Sequence, residues 1–377
     1  MKRDIIAKLA AIAVATAALL GVPHVQAKDF VITSITELTG AVASQGVPLS
    51  RGMKLAADEI NASGYLGQDR IRLEQLDNGS DRGQSALLMR RAAAGDSLAV
   101  IGTATGYNSH SIAPLATELK IPLMGMVYAT DLLASGPYSL KITSSDDSHT
   151  LTLARFAVEK VKPKECMVVY ARDNPGFVTQ YQAFQKFTEK QGVKFVGTEA
   201  VALQDTDFTA LATKIAAAKP DCLYISTLAP AGANIIMQAL SAGMSPKTKI
   251  FSGAGFANQS LIKVGGKAVE GVYVVADYAP GGVNEEGRKF EANYLKAFGT
   301  GPENWSAVGY AQVKLIAWAI KQAGPNVTRD SLRGALSNVK DWPNILGAKG
   351  VMTISDRLPE YDAAIITVKD GKFANAQ

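Results

Sequence analysis

The feature that most constrains this chain is a regular alternation of short apolar runs with amphipathic segments of helical length. The run from Leu98 to Ile101, for example, ends at Gly102, and a helical pattern begins near Ser109. A second series of the same kind begins near Asp147 and contains β-branched runs such as MVVY and VYVV, which fit strands buried on both faces. Strands that alternate with helices form βαβ units around a parallel sheet. We therefore expect an α/β protein with two doubly wound parallel-sheet lobes.

The last hundred residues do not simply continue either series. Helical patterns cover residues 285–298, 304–323 and 329–338, and the short strands GVMTIS and DAAIITV follow. We interpret this tail as additions to both lobes, so the chain crosses between them several times and forms a multi-crossing hinge. The boundaries that follow from this interpretation are 28–147 with 278–352 for the N-terminal lobe, and 148–277 with 353–377 for the C-terminal lobe.

The N-terminus has the pattern of a secretory signal peptide. Met1-Lys2-Arg3 precedes an apolar, alanine-rich stretch from Ile5 to Val22, and the small residue Ala27 closes the segment. A membrane anchor is the alternative, but the apolar stretch falls short of the roughly 20 residues that a span needs. We expect residues 1–27 to be removed near Ala27 and the mature protein to lie in the periplasm.

Charge argues against nucleic acid as a partner. The whole chain has 39 Lys and Arg against 34 Asp and Glu, and the signal segment carries three of the basic residues and one of the acidic ones. The remaining 36 basic and 33 acidic residues give a net charge of only +3, with no basic run.

The two cysteines, Cys166 and Cys222, each lie near the start of a separate predicted strand. Export permits a disulfide between them. Spacing alone does not show that their Cβ atoms meet, so two buried free thiols are the favoured expectation.

The segment GTATGYNS, residues 102–109, joins a predicted strand end to a helix start. Ligands of open α/β sheets lie at the carboxyl ends of the strands, and free N–H groups at a helix N-terminus can bind an anion. Gly106, Tyr107 and Asn108 would present such groups, and Asn108 or Ser109 could cap the helix or donate to a carboxylate. An ordinary βα loop with a capping side chain is the alternative.

Catalytic chemistry is not indicated. His110 and His149 are the histidines of the mature chain, and neither has a metal-ligand spacing. Neither a phosphate-binding P-loop nor a nucleophile elbow is found. We expect no catalytic residues, no metal and no cofactor.

The chain resembles the leucine/isoleucine/valine-binding family of ABC-transporter solute receptors, which has the type I periplasmic binding fold. The resemblance covers essentially all of the mature chain. Its most specific parts are LTGAVASQGVPLSRGMKLAADEIN, VIGTATGYNSHSIAPLATELKIPLM and DFTALATKIAAAKPDCLYIS, followed by MQALSAGM. It implies a periplasmic receptor that closes two lobes over one small molecule and delivers it to a membrane permease, acting as a monomer.

The resemblance also implies a set of ligand-binding positions. In this chain they are Gln45, Gly106, Tyr107, Asn108, Tyr128, Ala129, Thr130, Phe177, Leu228, Ala254 and Trp305. With Ser109 from the loop 102–109, they make twelve candidate ligand-binding residues.

Departures from the family pattern bear on the ligand. Amino-acid receptors of the family usually have a serine at Gly106, a threonine near Ala129, a tyrosine near Leu228 and, near Ala254, an acid that meets the ligand ammonium. A buried ammonium without an anionic partner is costly, and Asp173 or Asp277 would have to substitute. We therefore expect an apolar or aromatic carboxylate without an α-amino group. The alternatives are a branched-chain amino acid, or a ligand-sensing role for a signalling partner.

Overall fold

A computed structural model of the chain describes residues 27–128 and 130–376, without the side chains of Asp146 and Asp147. All but the last residue of the expected signal peptide, 1–27, lies outside the described residues. Among the helices that the structure describes, none is both long and apolar enough to cross a bilayer.

The first lobe is built on a five-stranded parallel sheet with the strand order β2-β1-β3-β4-β5. Its elements are β1 (Asp29–Thr36), α1 (Ala43–Ser63), β2 (Arg70–Asp77), α2 (Arg82–Ala94), β3 (Ser97–Gly102), α3 (Gly106–Glu118), β4 (Leu123–Gly125) and β5 (Ser139–Lys141). The central strands β1 and β3 are almost wholly buried, because helices cover both faces of the sheet.

The second lobe has a seven-stranded sheet with the order β15-β14-β10-β9-β8-β6-β7. Five of these strands are parallel, whereas β14 and β15 are antiparallel additions at one edge. The consecutive elements are α4 (Asp146–Phe156), β6 (Glu165–Ala171), α5 (Pro175–Lys190), β7 (Lys194–Val201), α6 (Thr209–Ala218), β8 (Cys222–Ser226), α7 (Ala229–Ser241), β9 (Lys249–Ser252), α8 (Gln259–Gly265) and β10 (Tyr273–Ala276). Two doubly wound lobes are therefore confirmed.

The tail returns to the first lobe before it completes the second. Its elements are α9 (Glu285–Phe298), α10 (Asn304–Ala323), α11 (Arg329–Ser337), β11 (Val339–Pro343), β12 (Val351–Ser355), β13 (Leu358–Glu360), β14 (Ala364–Lys369) and β15 (Lys372–Asn375). The boundary expected between residues 352 and 353 is wrong, because it falls inside β12. Met352, Ile354 and Tyr361 all belong to the core of the first lobe, and the chain enters the second sheet only at β14.

A disulfide joins Cys166 and Cys222, so the expectation of two free thiols is wrong. The strands β6 and β8 are neighbours, and their parallel register sets the two cysteines directly opposite each other, with their Cα atoms 4.4 Å apart. The bridge closes a loop with a sequence separation of 56 residues. A cross-link of that length stabilises mainly by restricting the unfolded chain.

Helices α1 and α10 make the closest approach in the first lobe. A Cβ atom on Gly52 would lie 1.9 Å from the backbone oxygen of Ser306, and one on Gly309 would lie 2.1 Å from that of Leu49. Only glycine permits this contact. The approach matters for the site because Gln45 lies in the first turn of α1 and Trp305 in the first turn of α10.

Candidate functional site

A cavity of about 250 Å³ lies where the carboxyl ends of strands from both lobes meet. Seven of the twelve candidate residues line it: Gln45, Gly106, Tyr107, Tyr128, Phe177, Leu228 and Trp305. The fold therefore brings together positions up to 260 residues apart in the sequence.

The N-terminus of α3 forms one end of this cavity. Thr105 is the N-cap residue, and its hydroxyl accepts a hydrogen bond from the N–H of Asn108 at 3.4 Å. The first N–H groups of a helix have no acceptor within the helix. Those of Gly106 and Tyr107 have none among the described residues, and both residues line the cavity. This end therefore offers two backbone donors and the positive end of a helix dipole.

The buried carboxylate of Glu37, which directly follows β1, binds the same loop through several hydrogen bonds. It accepts hydrogen bonds from the Ala104 N–H at 2.7 Å, the Thr105 hydroxyl at 3.2 Å and the Asn108 side-chain amide at 2.7 Å. Burial raises the pKa of Glu37, and these hydrogen bonds oppose the rise without cancelling it. The carboxyl group fixes the loop conformation that leaves the N–H groups of Gly106 and Tyr107 free.

The expectation that the side chain of Asn108 or Ser109 would donate to a ligand is corrected by these contacts. The Asn108 amide nitrogen donates to Glu37, and the Ser109 hydroxyl accepts from the Thr103 N–H at 3.2 Å. Both side chains are buried and neither lines the cavity. The backbone N–H groups of Gly106 and Tyr107 are the donors of this loop that line the cavity.

Sequence reasoning missed Arg82, which begins α2 and lines the cavity. Its guanidinium carbon lies 3.3 Å from the centre of the Tyr107 ring, and its Nε donates to the Tyr107 carbonyl oxygen at 3.2 Å. The only hint in the sequence was an arginine just after a predicted strand end. Among the described lining residues, Arg82 is the sole lysine or arginine, so it gives the end formed by α3 a full positive charge.

His110 and Asp131 also line the cavity and contact each other. The Asp131 carboxylate lies 2.9 Å from His110 Nε2, and His110 Nδ1 lies 2.6 Å from the Gly106 carbonyl oxygen. Asp131 is the only acid among the described lining residues, and its carboxylate is already in contact with the His110 ring.

Apolar groups form most of the remaining wall, which also includes the polar side chains of Gln45, Asn174, Thr179 and Gln180. Met126, Val127 and Tyr128 follow β4 in the first lobe, and Phe177 and Leu228 come from the starts of α5 and α7 in the second. The cavity therefore combines an anion-attracting end with a mainly apolar body.

The remaining candidates lie elsewhere. Thr130 is exposed and outside the lining, and Ala129 lies outside the described residues. Ala254 is buried beside Gly255, which does line the cavity. Phe256, which follows Gly255, packs inside the second lobe so closely that a Cβ on Gly232 would lie 2.0 Å from its ring.

The two acids considered as substitutes for the missing ammonium partner serve other contacts. Asp173 accepts the N–H of Leu203 at 3.1 Å. Asp277 is fully buried after β10 and accepts hydrogen bonds from the Tyr128 and Tyr361 hydroxyls, both at 2.5 Å, and from the Asn304 amide at 2.9 Å. Neither acid lines the cavity.

The Asp277 cluster joins segments of both lobes at the hinge. His149, from the first turns of α4, places Nε2 3.3 Å from the Asp277 carboxylate and packs its ring 4.7 Å from that of Tyr128. Burial alone would raise the pKa of Asp277, but the nearby His149 and the hydrogen bonds from the two tyrosines lower it to about 2. Tyr128 therefore contacts both the cavity and the hinge.

Two further contacts join the lobes beside the cavity. The Asn258 amide donates to the Ser44 carbonyl oxygen at 2.5 Å, and the N–H of Gln259, at the start of α8, donates to the Glu303 carboxylate at 2.5 Å. Burial raises the pKa of Glu303 to about 7, although the Gln259 N–H and the charges of Lys263 and Arg51 act against the rise.

The described part of the chain contains no group of side chains suited to bind a metal ion. No three His, Cys, Asp or Glu side chains there lie close enough together to hold an ion. The site can therefore bind a ligand through hydrogen-bond donors, positive charge and apolar contacts.

Comparison with known proteins identifies the family to which the chain belongs. A family model described as "Periplasmic binding protein" matches residues 31–372. The Leu/Ile/Val-binding protein BraC3 of Rhizobium johnstonii is 25% identical over 321 residues, which cover 85% of this chain and 86% of that protein. The Leu/Ile/Val-binding protein homolog 3 of Brucella melitensis is 25% identical over 371 residues, 97% of this chain and 98% of its own length.

Solved structures share the fold. The leucine binding protein LivK of Thermotoga maritima superposes with a TM-score of 0.84 at 24% identity, covering 92% of this chain and 98% of its own. A solute binding protein of an ABC transporter from Rhodopseudomonas palustris, solved in complex with 3,4-dihydroxy benzoic acid, gives a TM-score of 0.82 at 23% identity, covering 92% and 95%.

Proposed function

The chain belongs to the periplasmic binding protein family, and from that premise we propose that its cavity binds a small apolar or aromatic carboxylate for an ABC importer. The two lobes close over this ligand and present it to a membrane permease.

The observation that carries the proposal is the set of groups at the end of the cavity formed by α3. The N–H groups of Gly106 and Tyr107 and the guanidinium of Arg82 all favour an anion there. A carboxylate is the anion that fits a mainly apolar cavity of about 250 Å³.

The distribution of acids supports a ligand without an α-amino group. Ala254 stands where amino-acid receptors of this family carry an acid, and Asp131 already contacts His110. An ammonium group in this cavity would lack an unengaged anionic partner, which makes its burial costly.

A branched-chain amino acid is the second candidate, and the named relatives favour it, since two of them are Leu/Ile/Val-binding proteins. In that case Asp131 would have to exchange His110 for the ligand ammonium. A ligand-sensing role for a signalling partner is the third, because the same fold permits it.

We also propose that the protein is a monomer without catalytic activity. His110 and His149 are held by Asp131 and Asp277, and in the described part of the chain neither contacts a nucleophilic side chain. The ligand therefore leaves the cavity unchanged. The family's name supports a periplasmic location. We propose that the signal is removed near Ala27, the small residue that closes the apolar N-terminal segment.

Calorimetric titration of the purified mature protein tests the ligand class. The panel pairs benzoate, phenylacetate and 4-methylpentanoate with their primary amides, and includes leucine, isoleucine and valine. We expect at least one acid to bind, and its amide to bind about ten- to a hundredfold more weakly, because a charge-assisted hydrogen bond is lost. Tight binding of leucine with no binding of any acid would transfer the assignment to the second candidate.

A further inference from the structure

Trp305 lines the cavity and carries a hydrogen-bond donor that the proposed carboxylate site does not use. The residue lies in the first turn of α10, lines the cavity and is only 3% exposed. Its indole Nε1–H has no hydrogen-bond acceptor among the described residues. An indole nitrogen can only donate, and a buried donor left unpaired is unfavourable, so such a group in a binding cavity indicates an acceptor on the ligand.

The position of this donor is fixed from both sides. Glu303 caps α10 together with Ser306, and the neighbouring Asn304 accepts the Asp277 N–H at 2.7 Å and donates to the Asp277 carboxylate. One turn later, Gly309 lies against the backbone of α1. Trp305 is therefore held on a rigid helix start, which suits a group that selects among ligands.

The Trp305 donor is distinct from the anion-attracting end of the cavity. The N–H groups of Gly106 and Tyr107 and the charge of Arg82 belong to α3 and α2, whereas Trp305 comes from α10. Tyr128 and Phe177 supply apolar surface in the same cavity. A ligand that satisfies both ends needs an anionic group, an apolar body and a second oxygen.

We propose that the ligand is an aromatic acid that carries a ring oxygen, as a phenol, an aryl ether or a carbonyl, and that Trp305 Nε1–H donates to this oxygen. The inference rests on the proposed function, since it assumes that the carboxylate lies at the end formed by α3. It assigns Trp305 the role of a specificity-determining residue that separates oxygenated from plain aromatic acids.

Matched ligands test this in the unmodified protein. The 3- and 4-isomers of methoxybenzoate and hydroxybenzoate are compared by calorimetry with the 3- and 4-isomers of methylbenzoate, which have similar shape but no acceptor. We expect at least one methoxy isomer to bind about tenfold more tightly than its methyl counterpart. A methoxy group cannot donate, so its advantage reports an N–H donor in the protein. Equal binding of methyl and methoxy acids at both ring positions would overturn the inference.

The variant Trp305→Phe tests whether the preference for oxygenated acids comes from the indole N–H. It should abolish the preference for the oxygenated acid and change the affinity for methylbenzoate much less. Trp318→Phe, on the same helix but outside the cavity lining, is the matched control and should keep the preference. An equal loss for methoxy and methyl acids in Trp305→Phe would show that Trp305 only packs against the ring or meets the carboxylate, which also overturns the inference. If no acid binds the unmodified protein, the proposed function itself fails, and that result is distinguishable from the others.

Discussion

Arg82 is the residue whose role depends most on the fold. In the sequence, the loop that ends at Ser109 contains no cation, and Arg82 precedes Tyr107 by 25 positions. The parallel order of β1, β2 and β3 brings the start of α2 beside the start of α3, so the guanidinium group stacks on Tyr107. The side chain is exposed, and so its electrostatic contribution is moderated by solvent.

Replacing Arg82 by Gln should weaken carboxylate binding by about two- to fivefold, the effect expected of an exposed charge. The affinity for a neutral amide analogue should not change. The matched control is Arg90→Gln on the same helix, because Arg90 pairs with Glu118 on the surface at 3.0 Å and does not line the cavity. Calorimetry at low and high salt measures the difference, and an equal loss for acid and amide would contradict a role for the charge.

Residues near Asn108 show which parts of the site the sequence could predict. A strand end, a glycine and a helix start are local patterns, and they indicated Gly106 and Tyr107, which line one end of the cavity. The Asn108 side chain donates its hydrogen bond to Glu37, 71 positions earlier in the sequence. No local pattern reports such a partner, so a capping or ligand-binding role for the amide looked equally open.

Helix–helix contact between α1 and α10 determines the positions of Gln45 and Trp305. The backbones approach so closely at Gly52 and Gly309 that neither position has room for a methyl group. A side chain there would push the two helices apart and displace one wall of the cavity.

The substitution Gly309→Ala should destabilise the protein by about 1–3 kcal/mol, because the new methyl group collides with the Leu49 backbone rather than with a movable side chain. Gly334→Ala is the control. Gly334 lies exposed in α11 with no atom near its missing Cβ, so alanine there should stabilise by about 0.5–1 kcal/mol. Urea denaturation of both variants measures the changes, and equal effects would refute the close-contact argument.

Whole elements were predictable where they carry their own signals. The expected helices at 285–298 and 304–323 match α9 and α10, and α9 is bounded by the N-cap Asn284 and the left-handed Gly299. The three-residue strands β5 and β13 were not predicted, because so few residues show no periodicity. The disulfide was missed for a related reason, since strand register is a property of the assembled sheet.

At the scale of the molecule, Glu303 couples the two lobes. It lies at the start of α10 in the first lobe and accepts the Gln259 N–H of the second, and Lys263, Arg51 and Tyr294 are the titratable groups around it. Its pKa of about 7 lies above the ordinary 4.5, with burial as the leading cause. If separation of the lobes returns Glu303 to solvent, then closure takes up a proton.

The sign of the pH effect follows from this rise. The contribution of Glu303 to closure is complete below about pH 4.5 and is lost as the pH rises through about 7. Ligand affinity should therefore decrease between pH 6 and pH 8, by at most about tenfold. Calorimetry in buffers of different ionisation enthalpy should show proton uptake on binding.

Glu303→Gln should flatten this pH dependence, whereas Glu360→Gln, an exposed glutamate on β13, should retain it. Imidazole titrates in the same pH range, so His110→Asn serves as a second control. If the slope disappears in His110→Asn and persists in Glu303→Gln, the coupling belongs to the His110–Asp131 pair instead.

The route of the chain through the two lobes has a consequence for the order in which the protein can be made. The core of the first lobe includes α10, α11 and β12, and the sheet of the second lobe has β14 and β15 at its edge. During synthesis, therefore, the first lobe cannot complete its core until residue 361 has left the ribosome, and the second cannot complete its sheet until residue 375 has. Secretion through a narrow translocation channel needs an unfolded chain. We expect the late arrival of these segments to postpone folding until the protein has reached the compartment in which Cys166 and Cys222 can be oxidised.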